Sequence, residues 1–331
     1  MTPIYAQSDL SAFVKKYTEI FILVDEHTFT YCYPLLEDVF NSHYVIKVHS
    51  GEEYKNIETF SIIVNELLEK KATRQALFIN LGGGVITDLG GFVSSSYKRG
   101  IDFINIPTTL LAMVDAAIGG KTALDLQLYK NCIGSYYWPQ AIFMNPDFLD
   151  TLPIRHIKSG LAEMLKHGLI ASYDHWNQLK SISELTEIKK HISHSAQIKS
   201  NIVEQDPNEK SIRKMLNFGH TIGHAIESVS LLSAKPLLHG EAIAIGMYLE
   251  TKISHIYSQL SLDMLNEIEK VLHLHFGELI YTTFPLNDLW KYMLNDKKND
   301  SNSVNFTLLT EIGNAEINYQ LSYQEIEKAL A

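Results

Sequence analysis

Cysteine is scarce: Cys32 and Cys132 are the only two in 331 residues, and they form no C-x-x-C pair. A disulfide scaffold is therefore excluded, and both are expected to be reduced, structural thiols. No apolar stretch approaches the roughly 20 residues that span a bilayer. Met1 to Lys15 shows neither the basic flank nor the apolar core of a signal peptide, so the expected location is the cytoplasm. Lysine and arginine form no basic run, and the net charge of −10 argues against a nucleic-acid partner. A small, charged metabolite is the more natural one. Internal repeats and low-complexity segments are also lacking. What is present is an ordinary globular composition, 46% hydrophobic and 20% charged, in a chain long enough for two domains.

The first 150 residues alternate short β-branched or aromatic runs with helical patterns, the signature of a parallel sheet with crossover helices. The expected strands are Ile20–Val24, Tyr44–Val48, Leu77–Leu81, Phe103–Ile106 and Ala141–Met144. Phe60, Ile63, Val64, Leu67 and Leu68 recur at helical spacing, so Glu58–Lys70 is expected to be amphipathic. From about Asp150 strands give way to long helical patterns at Ile157–Ile170, Ile188–Gln205, Met215–Val229 and Glu241–Leu260. The expectation is an α/β Rossmann-like domain over 1–150 and a mainly α-helical domain over 151–331. Pro207–Ser211 reads as a loop, and Val304–Thr310 with Ala315–Leu321 as a late hairpin.

Leu77–Leu81 runs into Gly82-Gly83-Gly84 and then Val85-Ile86-Thr87-Asp88, a strand, a glycine turn and a helix start. Glycines there let backbone amides approach a pyrophosphate at the positive end of a helix. The turn is not G-x-G-x-x-G, and alone it is a weak signal. Ser50–Lys55, Pro107-Thr108-Thr109 and Gly119-Gly120-Lys121-Thr122 add polar, turn-forming segments at strand ends, where open α/β sheets bind ligands. A P-loop is excluded on spacing, because its first glycine would fall on Asp115.

The helical half carries the second constellation. Glu163 and Lys166 lie at i, i+3 and share a helix face, as do His220 and His224 at i, i+4. His239 opens another helix. Each of these imidazoles alone reads more readily as a cap, core or surface residue. Each, however, is flanked by glycine, which permits close backbone approach, and a carboxylate lies in the same domain. A carboxylate and two imidazoles with positions left open is the pattern of a catalytic divalent metal.

Taken in order, these segments resemble the 3-dehydroquinate synthase family. The likeness runs from Gly82 to about Glu250: GGGVI-x-DL at 82–89, Y-x-RGI at 97–101, PTTLL at 107–111, Val114-Asp115, GGKT at 119–122, KN-x-IG at 130–134, GLAE-x-x-K at 160–166, LN-x-GHT-x-GHA at 216–225 and LHGEA at 238–242. Asp296-Lys297-Lys298-Asn299 extends it. The resemblance implies a dehydroquinate synthase-like fold. It also implies a carbon–oxygen lyase of the shikimate pathway that converts 3-deoxy-D-arabino-heptulosonate 7-phosphate to 3-dehydroquinate and phosphate, with NAD and Zn2+ or Co2+. Metal ligands would be Glu163, His220 and His239. NAD contacts would fall on Ser50, Gly51, Glu52, Glu53, Tyr54, Lys55, Gly84, Val85, Ile86, Thr87, Asp88, Thr108, Thr109, Lys121, Lys130, Phe148, Leu149, Asp150 and Thr151. Substrate would meet Asp115, Lys121, Lys130, Asn131, Lys166, Lys199, Arg213, Asn217, His224 and one of Lys297 or Lys298. Arg99 resembles an arginine that reaches the phosphate of a neighbouring subunit, which implies a homodimer.

Within that resemblance the cations form a cage for carboxylate and phosphate, and His224 is a proton shuttle. Three departures stand out: Thr87 where many members have Gly, Gly90 where Ala is common, and Leu126–Tyr129 in place of Pro-Leu-Gly. Which of Asp25, Glu26 and His27 reaches the adenosine ribose stays open. The competing readings are another sugar phosphate cyclase, of valiolone or deoxy-inosose type, a metal-dependent alcohol dehydrogenase, and a non-enzymatic binding protein.

Overall fold

A computed structural model describes residues 2–40, 42–127, 129–231, 233–281, 283–294 and 303–330. Leu128 and the segment carrying Lys297 and Lys298 lie outside the described residues. The chain divides into two compact units, Met1–Pro153 and Ile154–Ala331.

The first unit contains β1 (Ile4–Ala6), α1 (Leu10–Val14), β2 (Ile20–Asp25), α2 (Glu26–Tyr31), β3 (Tyr44–Val48), α3 (Ile57–Glu69), β4 (Leu77–Gly82), α4 (Gly84–Ser96), β5 (Asp102–Pro107), β6 (Lys121–Leu126), β7 (Tyr129–Tyr136) and β8 (Ala141–Met144). Six strands form one parallel sheet in the order β1-β8-β5-β4-β2-β3. Continuous apolar runs such as Ile20–Val24 are buried throughout, as strands covered on both faces require. Phe21, Leu23, Ile63, Leu67, Phe78, Leu89, Val93 and Phe103 make the core on one side. The chain leaves β2 toward β3 on one side and continues through β4, β5 and β8 on the other. The reversal of strand order therefore falls between β2 and β4, the kind of place where such sheets bind ligands.

The five expected strands are all present. Two features differ from expectation. Leu68 is 54% exposed, because it lies about 140° around the helix from Ile63. Lys121-Thr122 does not end a turn but opens β6, which pairs antiparallel with β7. Gly119 and Gly120, both at positive φ, make the turn before it. Gly90, where the family often has Ala, also finds its reason. A Cβ there would stand 1.8 Å from Asn80 Oδ1. Asn80 is fully buried and donates to Asn105 Oδ1 at 2.9 Å.

The second unit contains α5 (Ile154–Ala171), α6 (Tyr173–Leu179), α7 (Leu185–Gln205), α8 (His220–Ser230), α9 (His239–Tyr257), α10 (Leu262–Phe276), α11 (Leu286–Leu294), the antiparallel pair β9 (Val304–Glu311) and β10 (Asn314–Leu321), and α12 (Tyr323–Leu330). The expected helix Met215–Val229 is broken. Ile212–Asn217 form a tight turn, and Gly219 at φ 77° redirects the chain before α8. A Cβ on Gly219 would stand 2.4 Å from Met247 Cγ, so its neighbour on α9 as well as its backbone angle calls for glycine. No described helix is long and apolar enough to cross a membrane.

Candidate active site

Three helices of the second unit bring the expected ligands together. Glu163 projects from the middle of α5, His220 is the first residue of α8 and His239 the first of α9. His220 Nε2 lies 3.4 Å and His239 Nε2 3.3 Å from the same oxygen, Glu163 Oε1. Ligands about 2.0–2.1 Å from a tetrahedral ion stand about 3.3–3.4 Å from one another, so these separations suit a shared divalent cation.

The glycines beside the histidines explain how three helices approach so closely. A Cβ on Gly240 would fall 2.1 Å from Ser159 O of α5, and one on Gly223 would fall 2.8 Å from Ile243 Cδ1 of α9. Gly240 N donates to Ser159 Oγ at 3.0 Å. Glu241, adjacent to His239, belongs to the scaffold: it accepts from Arg155 Nε at 2.7 Å and from Leu238 N at 2.7 Å.

Hydrogen bonds select the ring nitrogens. His220 Nδ1 lies 3.0 Å from Phe218 O, which only accepts, so Nδ1 carries the proton and Nε2 keeps its lone pair. His239 Nδ1 lies 3.3 Å from Glu227 Oε2, an arrangement common behind metal-bound histidines. Glu227 was not singled out in the sequence. It sits seven residues after His220, two turns along the same face of α8, and that spacing was its available signal.

Charge follows from burial and partners. Burial pushes the Glu163 carboxyl up, but Lys166, paired with it, and the two imidazoles outweigh burial and hold it well below the carboxylate range. Burial, reinforced by Lys166, drives His220 well below the ordinary imidazole value. Burial opposes a proton on His239, yet Glu163 and Glu227 on either side raise it to about 10. Burial lifts the Glu250 carboxyl of α9 to about 8, against the pull of the Ile222, Gly219 and Thr221 amides.

His224 stands one turn beyond His220, with ring centroids 4.9 Å apart, and 5.8 Å from His239. His220, His224 and His239 also form a compact trio of nitrogens. Glu163 is buried and anionic, as suits a ligand to a divalent cation, whereas His224 is exposed. Asn217, His220 and His224 line one open cavity with Lys214, Thr221, Asn305, Thr307 and Asn318. Lys214, Asn305 and Asn318 were not foreseen. Lys214 Nζ donates to Asn318 Oδ1 at 3.0 Å, and both asparagines come from the late hairpin. Lys199 and Arg213 are buried and are not among the lining residues of that cavity. Arg213 Nη1 donates to Pro207 O at 2.6 Å.

In the first unit the residues read as nucleotide contacts gather at carboxyl ends of parallel strands. Ser50–Lys55 follow β3, Gly84–Asp88 open α4 after β4, Thr108 and Thr109 follow β5, and Phe148–Thr151 follow β8. Gly83 precedes α4 and, having no side chain, offers no cap to the first amides of that helix. Gly83 also packs closely, since a Cβ there would stand 3.0 Å from Thr109 Cγ2. Lys55 is 3% exposed; its Nζ lies 2.7 Å from Glu52, 2.8 Å from Asn131 Oδ1 and 3.5 Å from both Asp88 and Asp125. Burial raises the Asp88 carboxyl to about 6, with Lys55 opposing. Lys130 Nζ reaches Glu52 at 3.8 Å. Lys121 opens β6 with its side chain exposed, and Asp115 sits in the short π-helical segment Ala112–Ala116. Arg99, at φ 68°, is exposed on a turn after α4. Asp25 caps α2 through Thr28 N at 2.7 Å, while Glu26 accepts from Ser50 N at 2.7 Å.

Comparison with known proteins fits this picture. The 3-dehydroquinate synthase N-terminal family pattern matches residues 45–159, and the C-terminal pattern matches residues 160–299. The 3-dehydroquinate synthase of Parabacteroides distasonis is 40% identical over 98% of this chain and 94% of its own. That of a Sulfurovum species is 41% identical over 82% of this chain and 78% of its own. Among solved structures, a 2-epi-5-epi-valiolone synthase from Streptomyces hygroscopicus with NAD+ and Zn2+ bound superposes with TM-score 0.86 at 25% identity, covering 100% of this chain and 96% of that one. A 2-deoxy-scyllo-inosose synthase complexed with carbaglucose-6-phosphate, NAD+ and Co2+ gives TM-score 0.85 at 23% identity over 99% of this chain and 95% of that one. With both halves matched and full-length relatives at this identity, the chain belongs to the 3-dehydroquinate synthase family.

Proposed function

We propose that this chain, an enzyme of the sugar phosphate cyclase group, converts 3-deoxy-D-arabino-heptulosonate 7-phosphate to 3-dehydroquinate and phosphate. The observation that carries the proposal is the convergence of Glu163 Oε1, His220 Nε2 and His239 Nε2 at 3.3–3.4 Å in a chain about 40% identical to curated 3-dehydroquinate synthases. Those three residues would hold Zn2+ or Co2+, and the open first turn of α4 with its glycines would receive the NAD pyrophosphate. When bound, the metal supplies Lewis acidity toward substrate hydroxyls, and NAD supplies a hydride acceptor that is restored within the same turnover.

The chain's own side chains do the rest. Glu163 and Glu227 fix the His239 ring from both sides, and Phe218 O fixes His220. Lys166 balances the buried Glu163 charge and, with Lys199, Arg213, Lys121 and Lys130, provides cations suited to a substrate with a carboxylate and a phosphate. Asn217, Asn131 and Asp115 would orient hydroxyls. His224, exposed beside His220 and His239, would move a proton at a substrate oxygen. Arg99 would serve the phosphate held by a second copy, which makes the working form a homodimer. The likeness in fold to cyclases with other products stands at 22–25% identity, well below that to the dehydroquinate synthases, and favours the carboxylate-bearing substrate. Phosphate release from the heptulosonate but not from sedoheptulose 7-phosphate is the expected assay result; the reverse preference would reject this substrate.

A further inference from the structure

Helix α8 starts on a metal-ligand residue without a side-chain cap of its own. The residue before it, Gly219, is in the left-handed region and offers no side chain. Free amides at a buried helix start demand acceptors. They are met from another helix: Glu250 Oε2 accepts from Gly219 N at 2.7 Å, and Oε1 accepts from Ile222 N at 2.9 Å. Glu250 is 0% exposed, and both of its side-chain oxygens accept from backbone amides of the Gly219 turn and the start of α8. It lies on α9, eleven residues after His239, which at 3.6 residues per turn is about the same helix face. The two helices touch backbone to backbone where Glu250 reaches across. A Cβ on Gly246 would stand 2.0 Å from Gly219 O and 2.7 Å from Gly223 N. One helix therefore supplies a ligand from its first residue and holds the turn that aims a second ligand.

We propose that Glu250 is a positioning residue of the metal site, fixing the Gly219 turn so that His220 Nε2 is directed at Glu163 Oε1. The proposal rests on the reading that Glu163, His220 and His239 hold a divalent metal. It goes beyond that reading by assigning a residue that touches neither metal nor substrate. Glu250→Gln is nearly isosteric, but its amide group turns a donor toward one of the two backbone donors. The orientation of the turn should therefore slacken while the packing of α9 is kept.

The test uses Co2+ alone as probe, read by affinity and by its visible absorption band. Four proteins are compared: the unaltered chain, Glu250→Gln, His220→Ala, and Ile253→Ala as a buried α9 substitution that lowers stability while keeping the Glu250 carboxyl. Expected are one Co2+ on the unaltered chain, loss of it in His220→Ala, an affinity about 10- to 100-fold weaker with a shifted band in Glu250→Gln, and an unchanged site in Ile253→Ala. Unchanged affinity and band in Glu250→Gln, with His220→Ala deficient, would overturn the role of Glu250 alone. Unchanged Co2+ binding in His220→Ala would overturn the metal reading and this proposal with it. Should Glu250→Gln fail to fold, amide exchange in the unaltered chain decides. Co2+ should slow exchange at Gly219 and Ile222 at least tenfold, and no change there would overturn the proposal.

Discussion

Removal of the Glu163 charge should damage the protein in two separable ways. Glu163 and Lys166 are 0% and 1% exposed and form an ion pair within α5. In Glu163→Gln the Lys166 ammonium is left buried without its carboxylate. Breaking a buried pair from one side typically costs about 3–5 kcal/mol. For a unit of this size each kcal/mol moves Tm by about 2–4 °C, so a fall of about 6–20 °C is expected in chelator-treated protein. Glu163→Gln/Lys166→Met removes both charges and keeps the volume filled, and it should regain most of that stability. It should not regain Co2+ binding or phosphate release, because an amide oxygen is a poor substitute for the carboxylate ligand. Thermal melts and metal titrations on the three proteins check this. A single variant melting within about 2 °C of the unaltered chain, or a double variant no more stable than the single, would refute the reasoning.

Glu227→Gln should weaken metal binding by about 10- to 100-fold while leaving the fold intact, since it loosens His239 from behind; competition with a chromogenic chelator measures it, and an unchanged affinity would contradict the role. Gly90→Ala should cost about 1–3 kcal/mol through its clash with Asn80 Oδ1, and most of that cost should disappear in an Asn80→Ala background. Additive losses in urea unfolding would contradict it. Burial, with His194 and His191 nearby, holds fully buried His175 at about 3, below its ordinary 6.5. The unfolded chain therefore binds the extra proton first. His175's stabilising contribution is complete above about pH 6.5 and is lost as pH falls toward 3, by up to about 1.4 kcal/mol per unit. His175→Phe should flatten the acid limb of the stability profile by about that slope, and an unchanged limb in urea melts from pH 4.5 to 6.5 would reject the assignment.

Much of this architecture was legible because apolar runs buried on both faces announce a parallel sheet, and Ile20–Val24, Leu77–Leu81 and Ala141–Met144 are such runs. The glycines flanking His220, His224 and His239 were legible too, and their contacts now explain them as points where helices meet. What the sequence concealed is long-range. The break at Gly219 lies inside an unbroken helical periodicity and is set by Met247 on another helix. Strands β6 and β7 are half-polar, and β6 starts directly after two glycines, so Lys121-Thr122 reads as part of the turn. Glu227 and Glu250 look like ordinary helix carboxylates until the fold shows which ring or amide each one meets. Asn305 and Asn318 looked like hairpin residues until the hairpin brought them to the cavity lined by His220.

The most direct test follows phosphate release and absorbance at 340 nm together in one reaction with 3-deoxy-D-arabino-heptulosonate 7-phosphate. Stoichiometric phosphate without net NADH, requiring added NAD+ and abolished by a chelator until Zn2+ or Co2+ is restored, is the expected result. Accumulating NADH, or phosphate release that persists in fully chelated protein, would contradict the account.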